Sequence, residues 1–311
     1  MSLQKKATII SSMTAIVLII IKLTIGIISG SVAVLASAID STLDFIVSAF
    51  NFFAIKKSEQ PADVYFNYGK GKIEALAAVI EGTIIAISGI FIFYESIQKA
   101  IHKEVLSHLN SSIYVMVISL VMTIALVIFL NYVAKKTDNM VIKADALHYK
   151  TDVYSNGVIV ISLVVIHFTK FYLIDAIMGI MISIYIIYSV YEIIKGGVLV
   201  LLDVALDNSL VDKIIDVINE ETEINGYHLL KTRQAGNTNF VDVHLVFDPT
   251  MSLLRAHYAG DRVEDKIKKI DNKYEWVVNI HLDPYDDLEI NQCPLPRGDK
   301  SLIKGNVSYQ N

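Results

Sequence analysis

Long apolar stretches separated by short polar connections fill the first two-thirds of the chain. Six stretches reach the length of about 20 residues that is needed to cross the hydrocarbon core of a bilayer. They occupy residues 7–29, 32–55, 73–98, 112–134, 144–168 and 172–201. This pattern predicts an all-α bundle of six transmembrane helices over residues 1–202, with the lipid bilayer as its partner.

A different periodicity begins after residue 202. Residues 209–221 and 252–270 have apolar positions three and four apart, which is typical of amphipathic helices. The stretches "YHLLKTRQ", "FVDVHLVF" and "WVVNIHLD" indicate strands. The order αββαβ predicts a ferredoxin-like α+β domain over residues 203–290, with helices packed on one face of a sheet. The polar residues 291–311 are predicted to be a disordered tail.

Lysines at the ends of the apolar stretches orient the predicted bundle. Nine lie on one set of flanks and three on the other: Lys5, Lys6, Lys56, Lys57, Lys70, Lys72, Lys135, Lys136 and Lys143 against Lys99, Lys103 and Lys170. Because lysine is enriched in cytoplasmic loops, both termini and the α+β domain are predicted to be cytoplasmic. We expect a multi-pass protein of the bacterial inner (plasma) membrane.

The balance of charge separates the same two parts. Residues 1–202 carry a net charge of +2, whereas residues 203–311 carry −7. An acidic soluble domain argues against nucleic acid as a partner. The sequence contains no nucleophile–base arrangement, phosphate-binding loop or cofactor fingerprint, so an enzyme is not predicted.

Two pairs of polar residues interrupt the apolar stretches. Asp40 and Asp44 are four residues apart in the second stretch, and His148 and Asp152 are four apart in the fifth. Each pair therefore lies on one face of its helix. A carboxylate at bilayer depth costs about 2.5–3.5 kcal/mol on insertion scales. Three carboxylates and one imidazole suit a tetrahedral divalent ion such as Zn²⁺, whose charge offsets that cost. Hydrogen bonding between helices is the alternative interpretation.

Such a site couples metal ions to protons. Its ligands must be deprotonated to bind, so metal uptake releases protons, which is the chemistry of an antiporter. Asp145, three residues before His148, is predicted to attract cations near the cytoplasmic mouth, or else to be a simple interfacial charge. Lys22 is predicted to snorkel towards the membrane surface. The sequence leaves open whether Glu81 faces a cavity or a dimer interface.

The motifs "DSTLD" and "HYKTD" resemble the paired D-x-x-x-D and H-x-x-x-D motifs of the cation diffusion facilitators. The resemblance runs from about residue 5 to residue 290 and includes all six spans and the tail domain. It implies a homodimer that exchanges cytoplasmic Zn²⁺ or related ions for protons by alternating access. It also assigns the transport site to Asp40, Asp44, His148 and Asp152. In this family a histidine in the fifth-span motif goes with Zn²⁺ or Cd²⁺, and an aspartate there with Mn²⁺.

The loop between the second and third spans departs from the family. Relatives hold a further zinc site there, formed by an aspartate and two histidines. Asp63 matches the aspartate, but Phe66 and Lys70 stand where the histidines would be, and we predict that this site is absent. Lys72 matches a position that pairs with an aspartate after span six, here Asp203. This charge interlock is predicted to hold the dimer; two unrelated interfacial charges are the alternative.

The tail domain contains four of the eight histidines of the chain. Taken alone, each of them is more typical of a surface residue than of a metal ligand, although His281 and Asp283 lie two apart on one strand face. The resemblance implies a binuclear zinc site, structural or regulatory, formed by His228, His244, His257, His281 and Asp283. Such a site would stabilise the dimer or sense cytoplasmic zinc.

The sequence therefore predicts a proton-coupled exporter of divalent cations, most of all Zn²⁺. One alternative is the same transporter with Fe²⁺, Co²⁺, Cd²⁺ or Mn²⁺ as its main substrate. Another, from a different class, is a membrane-anchored zinc sensor or scaffold. The sequence leaves open the stoichiometry and affinity of transport.

Overall fold

The computed structural model describes residues 2–29, 32–102, 110–169, 173–286 and 298–299. The chain divides into two compact units, Met1–Leu201 and Leu202–Asn311. The first unit is helical, and the second contains the sheet.

A long helix lies at each of the six apolar stretches of the first unit. These helices are α1 Leu3–Ser29, α2 Val32–Ser58, α3 Lys72–His102, α4 Asn110–Thr137, α5 Met140–Thr169 and α6 Leu173–Leu201. Among the described residues, five are long and apolar enough to cross a membrane: α1, α2, α3, α4 and α6. Helix α5 is not one of these five, so the sixth transmembrane span stays a prediction.

Helices α3 and α6 make the most extensive contact in the first unit, and glycines bring them close together. A Cβ atom built on Gly82 would lie 2.9 Å from Ile194 Cγ1. A Cβ atom on Gly197 would lie 2.6 Å from Val79 Cγ2 and 3.1 Å from the carbonyl oxygen of Ala75. Lipid provides no hydrophobic driving force between helices, so such close packing stabilises their association.

The second unit is a small mixed sheet with two helices. Its elements are α7 Asn208–Glu220, β1 Gly226–Ala235, β2 Thr238–Val246, α8 Leu253–Ile267, β3 Glu275–Asp283 and β4 Gly298–Asp299. The strand order is β3-β2-β1-β4. Strand β1 is antiparallel to β2 and β4, whereas β2 and β3 are parallel. The predicted α+β class is confirmed, and the finer ferredoxin-like assignment stays a prediction.

Strand β4 falls in the segment that was predicted to be disordered. Gly298 and Asp299 pair with Tyr227 and Gly226 at the start of β1. The prediction is therefore wrong for these two residues, because backbone pairing with an existing strand needs no hydrophobic side chain. The other residues of 291–311 lie outside the described part of the chain.

One face of the sheet carries the core of the second unit. Val243 and Leu245 of β2 share a buried cluster with Ile214 of α7 and Ala259 of α8. Because side chains alternate along a strand, His244 lies on the opposite face from these core residues. Helices α7 and α8 thus lie on one face of the sheet, and His244 lies on the other.

An arginine joins α8 to the turn after α7. Arg262 donates from Nε to Glu221 Oε2 at 3.2 Å and from Nη2 to Glu221 Oε1 at 3.0 Å. Its Nη2 also donates to Glu223 Oε2 at 2.8 Å. This hydrogen bonding holds the pKa of Glu221 below its usual value. The two-point contact fixes the geometry as well as the charge pairing.

We expect Gly197→Ala to destabilise the first unit, because the new methyl group meets the stiff side chain of Val79 and a backbone carbonyl. Overpacking of this kind costs about 1–3 kcal/mol. Gly157→Ala is the control, since no described atom lies within 4 Å of its added Cβ. Loss of monodisperse elution in detergent after stepwise heating measures the effect. Equal behaviour of the two variants would contradict the close α3–α6 packing.

We expect Arg262→Gln to destabilise the second unit at neutral pH more than Lys268→Gln, whose lysine only pairs with Glu264 along the same helix. The pKa of Glu221 is lowered by folding. The contribution of the pair is therefore complete above the ordinary glutamate pKa and is lost as the pH falls through the lowered value. Thermal unfolding followed by the fluorescence of Trp276, the single tryptophan, checks this. A gap between the variants that persists in strong acid would contradict it.

Candidate metal sites

A cluster of possible metal ligands joins α2 to α5 and is called the membrane cluster here: Asp44, His148 and Asp152. His148 Nε2 lies 3.1 Å from Asp44 Oδ1 and 4.0 Å from Asp152 Oδ2. The three residues each offer one ligand atom within 4.8 Å of the others. The spacing of four residues stacks His148 and Asp152 on the face of α5 that meets α2. A carboxylate, an imidazole and a second carboxylate thus converge on one point.

Asp40 lies outside this trio. It is one turn before Asp44, about 6 Å along the axis of α2, and its side chain is exposed. It still interacts electrostatically with Asp44 and with Lys22. The structure therefore brings together three of the four predicted transport ligands and leaves the fourth a turn away.

Lys22 points into the bundle, so the prediction that it snorkels is wrong. The residue is 9% exposed, and its Nζ donates to Ser41 Oγ at 2.7 Å and to the Ser37 carbonyl at 3.2 Å. Its charge interacts with Asp44 and Asp152. Two hydrogen-bond acceptors on α2 therefore hold the ammonium group inside the bundle.

Asp145 is fully buried and does not lie at an open mouth in this conformation, which differs from the prediction. Ser11 Oγ of α1 donates to its Oδ2 at 2.9 Å, and Asn51 Nδ2 of α2 donates to its Oδ1 at 3.3 Å. The same Asn51 nitrogen donates to Glu81 Oε2 at 3.1 Å. Side chains from four helices thus form a polar network beside the membrane cluster.

Sequence reasoning missed the α2 members of this environment. Ser48 Oγ lies 2.9 Å from the hydroxyl of Tyr149, and Asn51 makes the two contacts given above. Asp44, Ser48 and Asn51 follow one another at spacings of four and three residues, which places them on one helix face. Polar residues on one face of an apolar helix could have identified these two side chains from the sequence.

The loop before α3 uses its aspartate for protein contacts. Lys70 Nζ lies 2.6 Å from Asp63 Oδ2, and the backbone N–H groups of Tyr65 and Phe66 donate to Asp63 Oδ1 at 2.9 and 2.8 Å. The hydrogen bond from Lys70, followed by that from the Phe66 backbone, lowers the pKa of Asp63. An ammonium group thus contacts the carboxylate where relatives are expected to hold a metal ion.

A second group of possible ligands lies on the sheet and is called the tail cluster here: His228, His244, His281 and Asp283. Strand register creates it, because His228 pairs with His244 across β1–β2 and His244 pairs with His281 across β2–β3. Asp283 Oδ2 lies 3.1 Å from His228 Nε2 and 2.8 Å from His244 Nδ1. Its Oδ1 lies 3.1 Å from His281 Nε2. The carboxylate therefore bridges three imidazoles.

His257, the fifth predicted ligand, is not part of the tail cluster. Its side chain is 64% exposed on α8, with Nε2 3.6 Å from Asp261. Helix α8 packs against the core face of the sheet, whereas His244 lies on the other face. Within one chain the sheet therefore separates His257 from the other ligands.

Asp286 is a neighbour of the tail cluster that sequence reasoning missed. Its Oδ1 lies 3.2 Å from His228 Nδ1, while the other ring nitrogen of His228 faces Asp283. Metal-bound histidines commonly hold their second nitrogen against a carboxylate in this way. The acidic run "DPYDD", which begins at Asp283 at the end of β3, indicates in the sequence that a second carboxylate lies near the histidines.

The predicted charge interlock connects the two units and stays a prediction. Within the first unit, Lys72 Nζ donates to the carbonyl of Leu201 at 3.1 Å. Within the second, Asp203 Oδ1 lies 3.4 Å from Arg233 Nη1. Both predicted partners therefore also contact groups of their own unit.

These membrane-type helices and histidine–aspartate clusters are typical of a membrane protein, with possible metal ligands in both of its parts. Residues 8–202 match the transmembrane domain of cation efflux proteins, and residues 206–285 match their cytoplasmic domain. The chain belongs to the cation efflux family, known also as the cation diffusion facilitators, and is an integral membrane protein. The predicted family is thus confirmed.

Several curated bacterial proteins are similar along most of their length. The cation-efflux pumps FieF of Salmonella paratyphi A, Salmonella agona and Salmonella newport are each 37% identical over 265 residues. The match includes 85% of this chain and 88% of each relative. It therefore extends through both the helical unit and the sheet unit.

We expect Asp286→Asn to weaken zinc binding at the tail cluster by about 10- to 100-fold, because His228 loses the carboxylate that orients it. His257→Ala should change that affinity much less. Titration calorimetry of the full-length protein in a His148→Ala background isolates the tail cluster. Loss of zinc binding in His257→Ala but not in Asp286→Asn would contradict the arrangement of ligands found within one chain.

Proposed function

We propose that this protein is a proton-coupled antiporter that exports divalent metal cations, chiefly Zn²⁺, by alternating access. The observation that carries the proposal is the convergence of Asp44, His148 and Asp152 from two apolar helices. Residues with this chemistry are expensive within a membrane and are typically part of an ion pathway. The similarity to cation-efflux pumps supports export as the direction.

The chemistry of exchange follows from charge. Two carboxylates on α2 and α5 face one imidazole, so the metal-free cluster needs protons to balance its negative charge. A dication that binds from the cytoplasm takes the lone pair of His148 Nε2 and the oxygens of Asp44 and Asp152, and the protons leave. When the site opens to the other side, protons return and displace the metal. The ligand can shift the two states only by its different affinity for them.

Zinc is the preferred substrate in this proposal because the ligand set is mixed. Imidazole suits Zn²⁺, whereas an all-oxygen set suits harder ions such as Mn²⁺. Asp40 supplies the fourth ligand once its side chain turns towards the trio. Fe²⁺, Co²⁺ and Cd²⁺ accept the same donors and are the alternative substrates.

The tail cluster has a structural or regulatory role in the proposal. Three imidazoles and a bridging carboxylate fit zinc. Zinc bound there stabilises the folded tail domain and a homodimer by mass action. The charge interlock between Lys72 and Asp203 also stabilises that dimer. The protein acts in the bacterial inner membrane, with both termini in the cytoplasm.

A zinc sensor or scaffold is the competing function, and the tail cluster is the observation that favours it. In that case the membrane unit is only an anchor, and the ligands on α2 and α5 are dispensable. The two functions therefore make opposite predictions for single substitutions in the two clusters.

We expect zinc flux into proteoliposomes with an imposed proton gradient to be abolished by Asp152→Ala and by His148→Ala, and to be only reduced by His244→Ala. Glu95→Ala on the exposed side of α3 is the control and should transport normally. Loss of function with His244→Ala alone would favour the sensor. Transport of Mn²⁺ without transport of Zn²⁺ or competition by it would refute the zinc assignment.

A further inference from the structure

Glu81 of α3 is a buried acid that the membrane cluster does not use. Glu81 is 1% exposed, and Asp145 of α5 is 0% exposed. One nitrogen, Asn51 Nδ2, donates to both, at 3.1 Å to Glu81 Oε2 and 3.3 Å to Asp145 Oδ1. The two carboxyl groups therefore share a single amide donor inside the bundle.

Three of the four carboxyl oxygens of Glu81 and Asp145 accept a hydrogen bond from a described residue. Both oxygens of Asp145 accept a hydrogen bond, one from Ser11 and one from Asn51. Glu81 Oε2 accepts one from Asn51, but Glu81 Oε1 is buried with no hydrogen-bond partner among the described residues. A hard metal ion needs about six or more oxygens. A proton binds a single oxygen, so Glu81 Oε1, which has no hydrogen-bond partner among the described residues, fits a proton.

The surrounding charges favour the same occupant. Two neighbouring carboxylates out of water do not both remain ionised without compensation. The donors of Ser11 and Asn51 stabilise the ionised form of Asp145, which leaves Glu81 as the neutral member. The side of α6 near Glu81 is apolar, with Ile194 and Val190 against Gly82. The titratable groups that interact with the pair are Asp44 of α2 and His148 and Tyr149 of α5.

We propose that Glu81 is a proton-binding site, separate from the metal ligands, that is protonated in the metal-free protein and deprotonates when a dication binds the membrane cluster. Asp145 lies one turn from His148 on α5, and the charge of His148 acts on both acids. Two positive charges at that cluster favour the ionised form of Glu81. The O–H bond breaks, its electron pair stays on the carboxylate, and the proton leaves to water. This inference rests on the proposed antiport and adds a proton carrier to it.

Infrared spectroscopy tests the protonation directly. The full-length protein in detergent, free of metal and at neutral pH, should show the carbonyl stretch of a neutral carboxylic acid. Glu81→Gln, which keeps the shape of the neutral acid, should lower the intensity of that band by one acid group per chain, because protonated carboxyl groups of the membrane cluster still contribute to it, whereas Glu95→Gln on the exposed side of the same helix should leave the intensity unchanged. Asn51→Leu should strengthen the band, because Asp145 loses a donor. A band that Glu81→Gln leaves unchanged, or that Asn51→Leu weakens, overturns the proposal.

Proton counting tests the release. A pH-indicator titration with Zn²⁺ in weak buffer should show about one proton fewer per chain from Glu81→Gln than from wild type or Glu95→Gln. An unchanged proton count, or one fewer bound metal ion in Glu81→Gln, overturns the proposal. Wild-type protein that releases these protons but carries no zinc across a vesicle contradicts the antiport and still supports the proton site. The two proposals can therefore fail separately.

Discussion

Uncompensated negative charge within an apolar bundle is the constraint on which the first unit depends. Asp44 and Asp152 face each other across His148, and Lys22 reaches in from α1 rather than towards the membrane surface. Its Nζ donates to Ser41 and to the Ser37 carbonyl of α2, and its charge interacts with Asp44 and Asp152. In the proposed antiport, protons and a metal ion compete for these carboxylates, because either can compensate their charge inside the bundle.

Helix contacts in the first unit are of two kinds. Between α3 and α6, glycines at positions such as Gly82 and Gly197 allow apolar surfaces to meet closely, and Lys72 donates a hydrogen bond to the Leu201 carbonyl at the end of α6. Between α2 and α5, the contact is made by His148 and Asp44, whose attraction changes with protonation and with metal. A ligand moves an equilibrium only where its interaction differs between two states. The α2–α5 contact meets that condition, and the α3–α6 contact does not. We therefore expect the glycine contact to persist while the ligand-bearing helices change their separation.

The sequence was sufficient for the features that depend on local spacing. Hydropathy located all the helices of the first unit, and i,i+4 spacing correctly put His148 and Asp152 on one face towards α2. It was insufficient where the outcome depended on a partner far along the chain. Lys22 was misjudged because its acceptors lie on α2, and Asn51 was missed because its two acids come from α3 and α5. The tail histidines were found singly, but only strand register shows that His228, His244 and His281 form a row while His257 lies apart. Gly298 and Asp299 form a strand that composition argued against.

The two clusters differ in what happens when a metal ion departs, and this difference separates their roles. The tail cluster has three imidazoles against Asp283; its member His281 is exposed, and the neighbouring Asp286 contacts the buried His228. In the proposed function, water reaches the exposed side of this cluster when a metal ion leaves. The membrane cluster has two carboxylates against one imidazole between apolar helices, beside Lys22 and a buried polar network, and an empty and fully ionised site is costly there. In the proposed antiport, metal loss there obliges protons to bind. A site that can stay empty reports the concentration of its ligand, whereas a site that must be refilled couples two ions. The proposal therefore assigns a sensing or structural role to the tail cluster and the exchange of ions to the membrane cluster.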